Sequence, residues 1–216
     1  MKNFFWCCFS LSILCSSMTQ AGLLIEPNIG INLGGKFSGD TPEAFVETFP
    51  DTFEEKTWDV NGNFYGLKLG YKFLGFMFGA EYSQTTGSDI SDGETFNITE
   101  TGAFVGYAFP FFLRIYAGPV LSSNIAVTDK EDGIKSEWLF NGGTGTRMGL
   151  GLTLLPFLSI NLEMKNVKYK KFDYQYDGKA IWDTDAGELL GITDDWAEHE
   201  NSLTTYMLSV SIPIEI

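Results

Sequence analysis

Hydrophobic and polar residues alternate with a period of two along most of the chain after residue 22. Residues 144–171 show this best, because one parity is apolar on both sides of a short break at Leu155-Pro156-Phe157. The apolar parity holds Met148, Leu150, Leu152, Leu154, Leu158, Ile160, Leu162 and Met164. Period two is typical of strands with one apolar and one polar face. The break has room only for a tight reversal, so we predict a hairpin.

The same pattern predicts eight strands. They cover residues 23–37, 61–73, 76–83, 98–109, 113–121, 144–154, 158–171 and 206–216. Long connections at 38–59, 86–97, 124–141 and 172–201 alternate with tight turns. In an up-and-down barrel this alternation of long and short connections puts every long loop on one rim, as in bacterial outer-membrane barrels with short periplasmic turns. We therefore predict an all-β fold, an eight-stranded antiparallel up-and-down transmembrane β-barrel.

A soluble barrel such as a lipocalin would also alternate, but with its apolar face inward. Three features favour a membrane barrel: the polar parity is rich in glycine, no Gly-x-Trp motif occurs, and aromatic residues of the apolar parity gather beside the tight turns. Such a gathering is typical of the aromatic girdle at a membrane interface. The predicted girdle is Tyr71, Phe73, Phe76, Phe78, Tyr107, Phe109 and Phe157.

Charged residues of the predicted strands occupy the polar parity, Lys36 included. A charge facing lipid at mid-bilayer would cost roughly 2–4 kcal/mol, so these side chains should face the lumen. The predicted lumen network is Glu26, Lys68, Glu81, Glu100, Arg114, Arg147, Glu163 and Lys165. Lys168 and Lys170 take the outward parity, far enough from Pro156 to lie above the hydrocarbon.

Two hypotheses follow for the lumen. The charges form a neutral, salt-bridged plug, since unpaired buried charges are costly. Alternatively, a pair that exchanges partners opens a narrow path. Arg147 and Glu163 lie at similar distances from the turn at Pro156, so we predict that they form one pair.

The first 21 residues differ from the rest. Lys2 precedes an apolar run at 4–14 and a small-residue end, which predicts a secretory signal peptide over residues 1–21 and a barrel domain over 22–216. A short membrane anchor and a lipoprotein modified at Cys15 are the weaker alternatives. All three cysteines lie in this segment, so the remaining chain must be stabilised without disulfides.

Charge and composition narrow the function. The net charge of −14 over 216 residues argues against a nucleic-acid partner. Of the 28 acidic residues, 23 lie in the four long connections. The single histidine, His199, lies in or beside the last of these and is expected to be solvated, so we expect no enzyme, no cofactor and no metal site.

The chain after residue 21 resembles the small eight-stranded outer-membrane proteins, the superfamily with the OmpA transmembrane domain, OmpX and OmpW. The resemblance rests on the architecture, the signal peptide and the alternating last strand, although Ile216 stands where such chains commonly end in an aromatic residue. It implies a monomer in the bacterial outer membrane, with outer-membrane lipid, lipopolysaccharide and the barrel assembly machinery as partners.

Two functions remain open. The first is a structural or surface-interaction protein with acidic extracellular loops and a largely plugged, charged lumen. The second is a narrow, porin-like passive channel for small or hydrophobic solutes, as the resemblance to OmpW implies.

Overall fold

The computed structural model describes residues 21–39, 56–88, 94–110, 112–131, 134–155, 157–176, 179–183 and 201–216. Nearly all of the predicted signal peptide and His199 fall outside these residues. The described strands are β1 (Gly22–Gly39), β2 (Lys56–Asp59), β3 (Gly62–Phe73), β4 (Phe76–Ser88), β5 (Thr95–Ala108), β6 (Leu113–Glu131), β7 (Ile134–Leu155), β8 (Leu158–Tyr169), β9 (Lys171–Tyr176), β10 (Lys179–Asp183), β11 (Asn201–Ser211) and β12 (Ile214–Glu215).

Eight of these strands close into a ring. Each pairs antiparallel with the next in the order β1, β3, β4, β5, β6, β7, β8, β11, and β11 pairs back to β1. The predicted eight-stranded antiparallel barrel is confirmed. The four short strands extend the wall, since β2 and β12 pair with β1, β9 pairs with β7, and β10 pairs with β9.

Tight turns join the wall strands at one rim. Phe73 pairs with Phe76, and the two residues between them, Leu74 and Gly75, have φ angles of 51° and 84°. Two successive positive φ angles are characteristic of the type I′ turn, whose twist matches that of a two-residue hairpin. A second turn near Phe112 (φ 66°) joins β5 to β6, and Leu155 pairs with Leu158 at the third.

The apolar parity faces outward around the barrel. Side chains such as Ile29, Val105 and Leu150 are exposed on the outer wall, where in a soluble protein they would be buried. The predicted girdle residues all lie on this face near the tight turns, with Phe76 and Phe109 each 4.9 Å from the ring of Tyr107. Among the described residues, no helix is long and apolar enough to cross a membrane.

A charge placed on this outer face should destabilise the barrel according to its depth. Leu150 pairs with Ile115 and Leu162. Its replacement by arginine is expected to lower the free energy of unfolding by about 2–4 kcal/mol. Thr146 lies on the same strand and face, nearer the outer rim, and its replacement by arginine should cost at most about 1 kcal/mol. Urea titrations in lipid vesicles measure the loss of stability in each variant. Equal losses in Leu150→Arg and Thr146→Arg would contradict a lipid-facing band.

A bulge in β1 corrects one part of the sequence prediction. Asn32 pairs with Met207 but Gly34 pairs with Tyr206, so Leu33 is an extra residue in β1. An extra residue reverses the inside-outside parity of everything after it. Unbroken alternation over the predicted strand 23–37 puts Phe37 on the outward parity and Lys36 on the inward one. In the structure Phe37 is buried inside and Lys36 is exposed.

Several predicted boundaries are also wrong, and the two connections and the last strand described next differ most. The connection predicted at 124–141 is mostly strand, because β6 continues to Glu131 and β7 begins at Ile134. Register shifts between Val120 and Ile125 turn apolar residues inward there and hide the alternation. The connection predicted at 172–201 contains β9 and β10, and the last strand is interrupted at Pro213, which has no N–H to donate.

Candidate functional site in the barrel interior

The eight predicted charged residues all lie in the lumen, on every wall strand except β11. They occupy alternate inward positions, and none is more than 5% exposed. We call them the charge layer: Glu26, Lys68, Glu81, Glu100, Arg114, Arg147, Glu163 and Lys165. Four are acids and four are bases, so the layer is neutral with every group ionised.

Arg114 anchors one end of the charge layer. Its guanidinium donates to both carboxylate oxygens of Glu26, at 2.7 Å from Nη1 and 2.5 Å from Nη2. It also donates to Asn161 Oδ1, at 3.2 Å from Nε, and to Ser211 Oγ at 2.9 Å. Paired, charge-assisted contacts of this kind are among the strongest hydrogen bonds in proteins, and here they span four wall strands.

Lys68 and Glu163 form the centre of the layer. Lys68 Nζ donates to Glu163 Oε1 at 2.9 Å, and Tyr116 donates its hydroxyl proton to the same oxygen at 2.7 Å. Lys68 Nζ also lies 4.3 Å from the centroid of the Tyr116 ring and 4.0 Å from Glu81. The buried lysine therefore has two acids and an aromatic face around its ammonium group.

Arg147 connects the centre to the outer side of the layer. It forms an ion pair with Glu81, and its guanidinium lies 3.5 Å from Glu100 and 3.8 Å from Glu163. Lys165 forms an ion pair with Glu100, which also accepts a hydrogen bond of 3.2 Å from Ser83. Each charge is thus within reach of at least one opposite charge.

The predicted Arg147–Glu163 pair is present but secondary. In the hairpin Arg147 pairs with Lys165, and Glu163 pairs with Gly149, so the two residues are offset by one inward position. Their shortest contact, 3.8 Å, is longer than the contact of Glu163 with Lys68. The residue count from the turn predicted their approximate height but not the nearer partners.

An apolar cluster lies in the lumen on the outer side of the charge layer, which the sequence did not predict. Phe37 of β1 lies 4.5 Å from Phe140 of β7 and 5.8 Å from Tyr169 of β8, measured between ring centroids. Because β1 and β7 are not neighbours in the wall, these rings meet across the interior. The outer apolar cluster is Phe37, Val60, Phe96, Ile98, Val120, Ile125, Val127, Phe140, Val167, Tyr169, Phe172 and Leu203.

A smaller apolar cluster lies on the side of the tight turns. It consists of Leu24, Met77 and Phe104, with Ala108 packed against them. Just beyond it Lys72 Nζ forms an ion pair with Glu215 at 2.6 Å, with both side chains partly exposed. The charge layer is therefore bounded by apolar side chains at both ends.

The sequence analysis did not predict several polar residues that hydrogen-bond to the charge layer. Tyr116, Asn161, Ser211, Ser83 and Ser123 hydrogen-bond to its charges. Their inward parity could have indicated them, since all but Ser123 occupy the polar parity of their strands. Within the described part of the chain, no group of histidine, cysteine and acidic residues is arranged to hold a metal ion.

No protein-family model matches the chain, and no curated protein sequence matches it. Solved structures do. Ail, the attachment invasion locus protein of Yersinia pestis, aligns with a TM-score of 0.53 at 11% identity, over 89% of this chain and 99% of Ail.

Two further structures align over similar lengths. Ail in complex with the heparin analogue sucrose octasulfate has a TM-score of 0.53 at 13% identity, covering 89% of this chain and 99% of that one. Neisserial surface protein A has a TM-score of 0.48 at 12% identity, covering 91% and 99%. The apolar outer band is what a barrel that spans a membrane exposes to lipid. The chain thus has the fold of the small eight-stranded outer-membrane β-barrels, as its sequence predicts.

Proposed function

We propose that this chain is a surface protein whose barrel is a closed anchor, and that it acts through its extracellular loops without catalysis. The observation that carries the proposal is the layered interior, in which a neutral charge layer lies between two apolar clusters. A conducting pore would need a continuous hydrated path through both clusters. The rings of Phe37, Phe140 and Tyr169 occupy the path at the outer end.

The distribution of acid supports a role at the surface. Of the 28 acidic residues, 23 lie in the four stretches predicted as long connections. Parts of these stretches are strand in the structure, and each stretch joins wall strands at the rim opposite the tight turns. An acidic surface attracts basic partners and divalent cations and repels polyanions. A structure of Ail holds sucrose octasulfate, which is an anion. This chain, with its acidic surface, is expected to favour cationic partners instead.

The closed ring also supports the proposed monomer. Every wall strand of the described barrel pairs on both sides, so the membrane-spanning part offers no open edge to a second copy. We further propose that the barrel assembly machinery inserts the chain. The outward residues Tyr206, Leu208, Val210 and Ile212 are the candidate assembly signal.

Planar-bilayer recording separates the closed anchor from the narrow channel. Purified protein is expected to show no stable unit conductance. Arg147→Ala removes the residue that contacts three acids of the charge layer, but both apolar clusters remain, so this variant should also show no stable unit conductance. Lys72→Ala, at the partly exposed mouth, is the control and should stay silent. Stable unit conductance of the unmodified protein that changes in Arg147→Ala would overturn the closed anchor and establish the channel.

A further inference from the structure

The three tight turns of the described barrel carry exposed apolar side chains at their tips. Leu74, Phe112 and Phe157 are 46%, 65% and 59% exposed, and we call these three side chains the turn tips. Turns of this kind usually carry glycine, asparagine, aspartate or serine. The sequence around the turns has no charged residue over 73–80, 101–113 and 148–162. The apolar surface of the outer wall therefore continues onto the turns themselves.

Two of the turn tips have backbone conformations that disfavour them. Leu74 has a φ angle of 51° and Phe112 a φ angle of 66°, in the left-handed region that favours glycine and, after it, asparagine and aspartate. A large side chain in that region crowds the backbone. Asparagine would fit the backbone better and would be well hydrated in water. Leucine and phenylalanine at these positions therefore indicate apolar surroundings.

The apolar band is short on four of the strands that these turns join. On β4, β5, β7 and β8 the outward side chains are apolar over only seven residues each, at 76–82, 103–109, 148–154 and 158–164. The next outward residues, toward the long connections, are polar: Gln84, Thr101, Thr146 and Asn166. Seven residues with a rise of about 3.3 Å and a tilt of about 40° span about 18 Å of membrane. The apolar band of an outer-membrane barrel is about 25 Å tall, so these strands alone are too short.

The turns can supply the remaining height. A membrane protein that is too short for the hydrocarbon is accommodated by a thinner bilayer or by drawing its flanking residues into the membrane. The flanking residues are polar toward the long connections and apolar at the turns, where Leu74 lies beyond the last pair of its hairpin, Phe73 with Phe76. The partly exposed charges at this end, Lys72 and Glu215, form an ion pair at 2.6 Å. The turn end is thus the end that lipid can cover at low cost.

We propose that the turn tips are inserted into the membrane leaflet on their side of the barrel, where they contact phospholipid acyl chains. Phospholipid fits this surface better than a protein partner does, because the turn tips are continuous with the band that lipid already covers. The membrane boundary then lies at or beyond the turns and not at the girdle residues above them. The barrel ends inside the membrane at this side, and its three described turns are withheld from soluble proteins.

The test is the depth of spin labels on the barrel in phosphatidylcholine vesicles. All three natural cysteines lie in the predicted signal peptide, so Leu74→Cys, Phe112→Cys and Phe157→Cys can each carry one nitroxide on protein purified from membranes. Collisions with oxygen, which concentrates in lipid, are compared with collisions with a water-soluble nickel chelate. Each tip label should favour oxygen severalfold, as a label at Leu150→Cys in the band does. The water control is Lys135→Cys, an exposed position at the opposite end, which should favour nickel.

Leu74→Asn is an independent test, because its two effects have opposite signs. In water, asparagine would fit the positive φ angle better and would raise the urea midpoint of unfolding. In lipid, the amide would lose its hydration without gaining a partner, so we expect the midpoint to fall. Leu74→Met is the matched control, since it keeps an apolar side chain of similar size and should leave the midpoint nearly unchanged.

Three results would overturn the proposal. One is nickel access at the turn tips equal to that at Lys135→Cys, which would place the rim in water, where a soluble protein could still cover it in the cell. Another is a loss of access to both reagents that grows with protein concentration, which would assign the rim to a contact with a second copy. The third is a raised urea midpoint in Leu74→Asn. None of these readouts depends on whether the barrel conducts.

Discussion

Replacement of Arg114 by methionine is expected to lower the free energy of unfolding by about 3–5 kcal/mol, because it leaves the buried carboxylate of Glu26 without its partner. The arginine supplies two contacts to Glu26 and further hydrogen bonds to Asn161 and Ser211. Methionine keeps much of the side-chain volume, so the loss reports the uncompensated charge rather than a cavity. Unfolding by urea in lipid vesicles, followed by tryptophan fluorescence, measures the change.

Two further variants distinguish the charge from general damage. The Glu26→Met/Arg114→Met double variant removes both charges and should regain much of the stability lost in Arg114→Met. Lys72→Met breaks a partly exposed ion pair and should cost less than about 1 kcal/mol. If the double variant were less stable than the unmodified protein by the sum of the losses measured for Arg114→Met and Glu26→Met, the two residues would not be coupled as the structure indicates.

Phe37→Ala should lower the free energy of unfolding by about 3–5 kcal/mol, because it removes a fully buried ring from the outer apolar cluster. Ile31→Ala is the matched control on the same strand. Ile31 is 48% exposed on the outer wall, so its truncation leaves no internal cavity and should cost much less. The same urea titration compares the two.

This comparison also tests the bulge at Leu33. With unbroken alternation, Phe37 would share the outward face of Ile31 and the two truncations would have similar, small effects. A small effect of Phe37→Ala together with a large effect of Lys36→Ala would place the lysine inside and contradict the bulge.

The strand pattern predicts the fold well because most of each wall strand keeps one parity. Prediction fails where the parity switches. An apolar residue that turns inward, such as Phe37 or Ile125, has the same hydrophobicity as one that faces lipid, so composition alone does not reveal the switch. A register shift becomes visible only when the neighbouring strand is known, as with Asn32 and Met207.

The interior charges could be assigned to the lumen from parity alone, because lipid penalises a charge on the other face. Their partners could not be assigned. Partners such as Lys68 and Glu163 are 95 residues apart, and the tilt and stagger of the closed ring bring them together. Within a hairpin the residue count gives a height to within one inward position, which is why Arg147 and Glu163 are only secondary partners.

The neutrality of the charge layer has an electrical consequence. A potential difference does about 2.3 kcal/mol of work per 100 mV on each elementary charge that crosses it. Four positive and four negative groups held in one body carry no net charge, so displacement of the whole layer along the barrel axis involves no net work against such a field. The folded barrel should therefore have no gating charge, and an applied voltage should act on it only by pulling individual ion pairs apart.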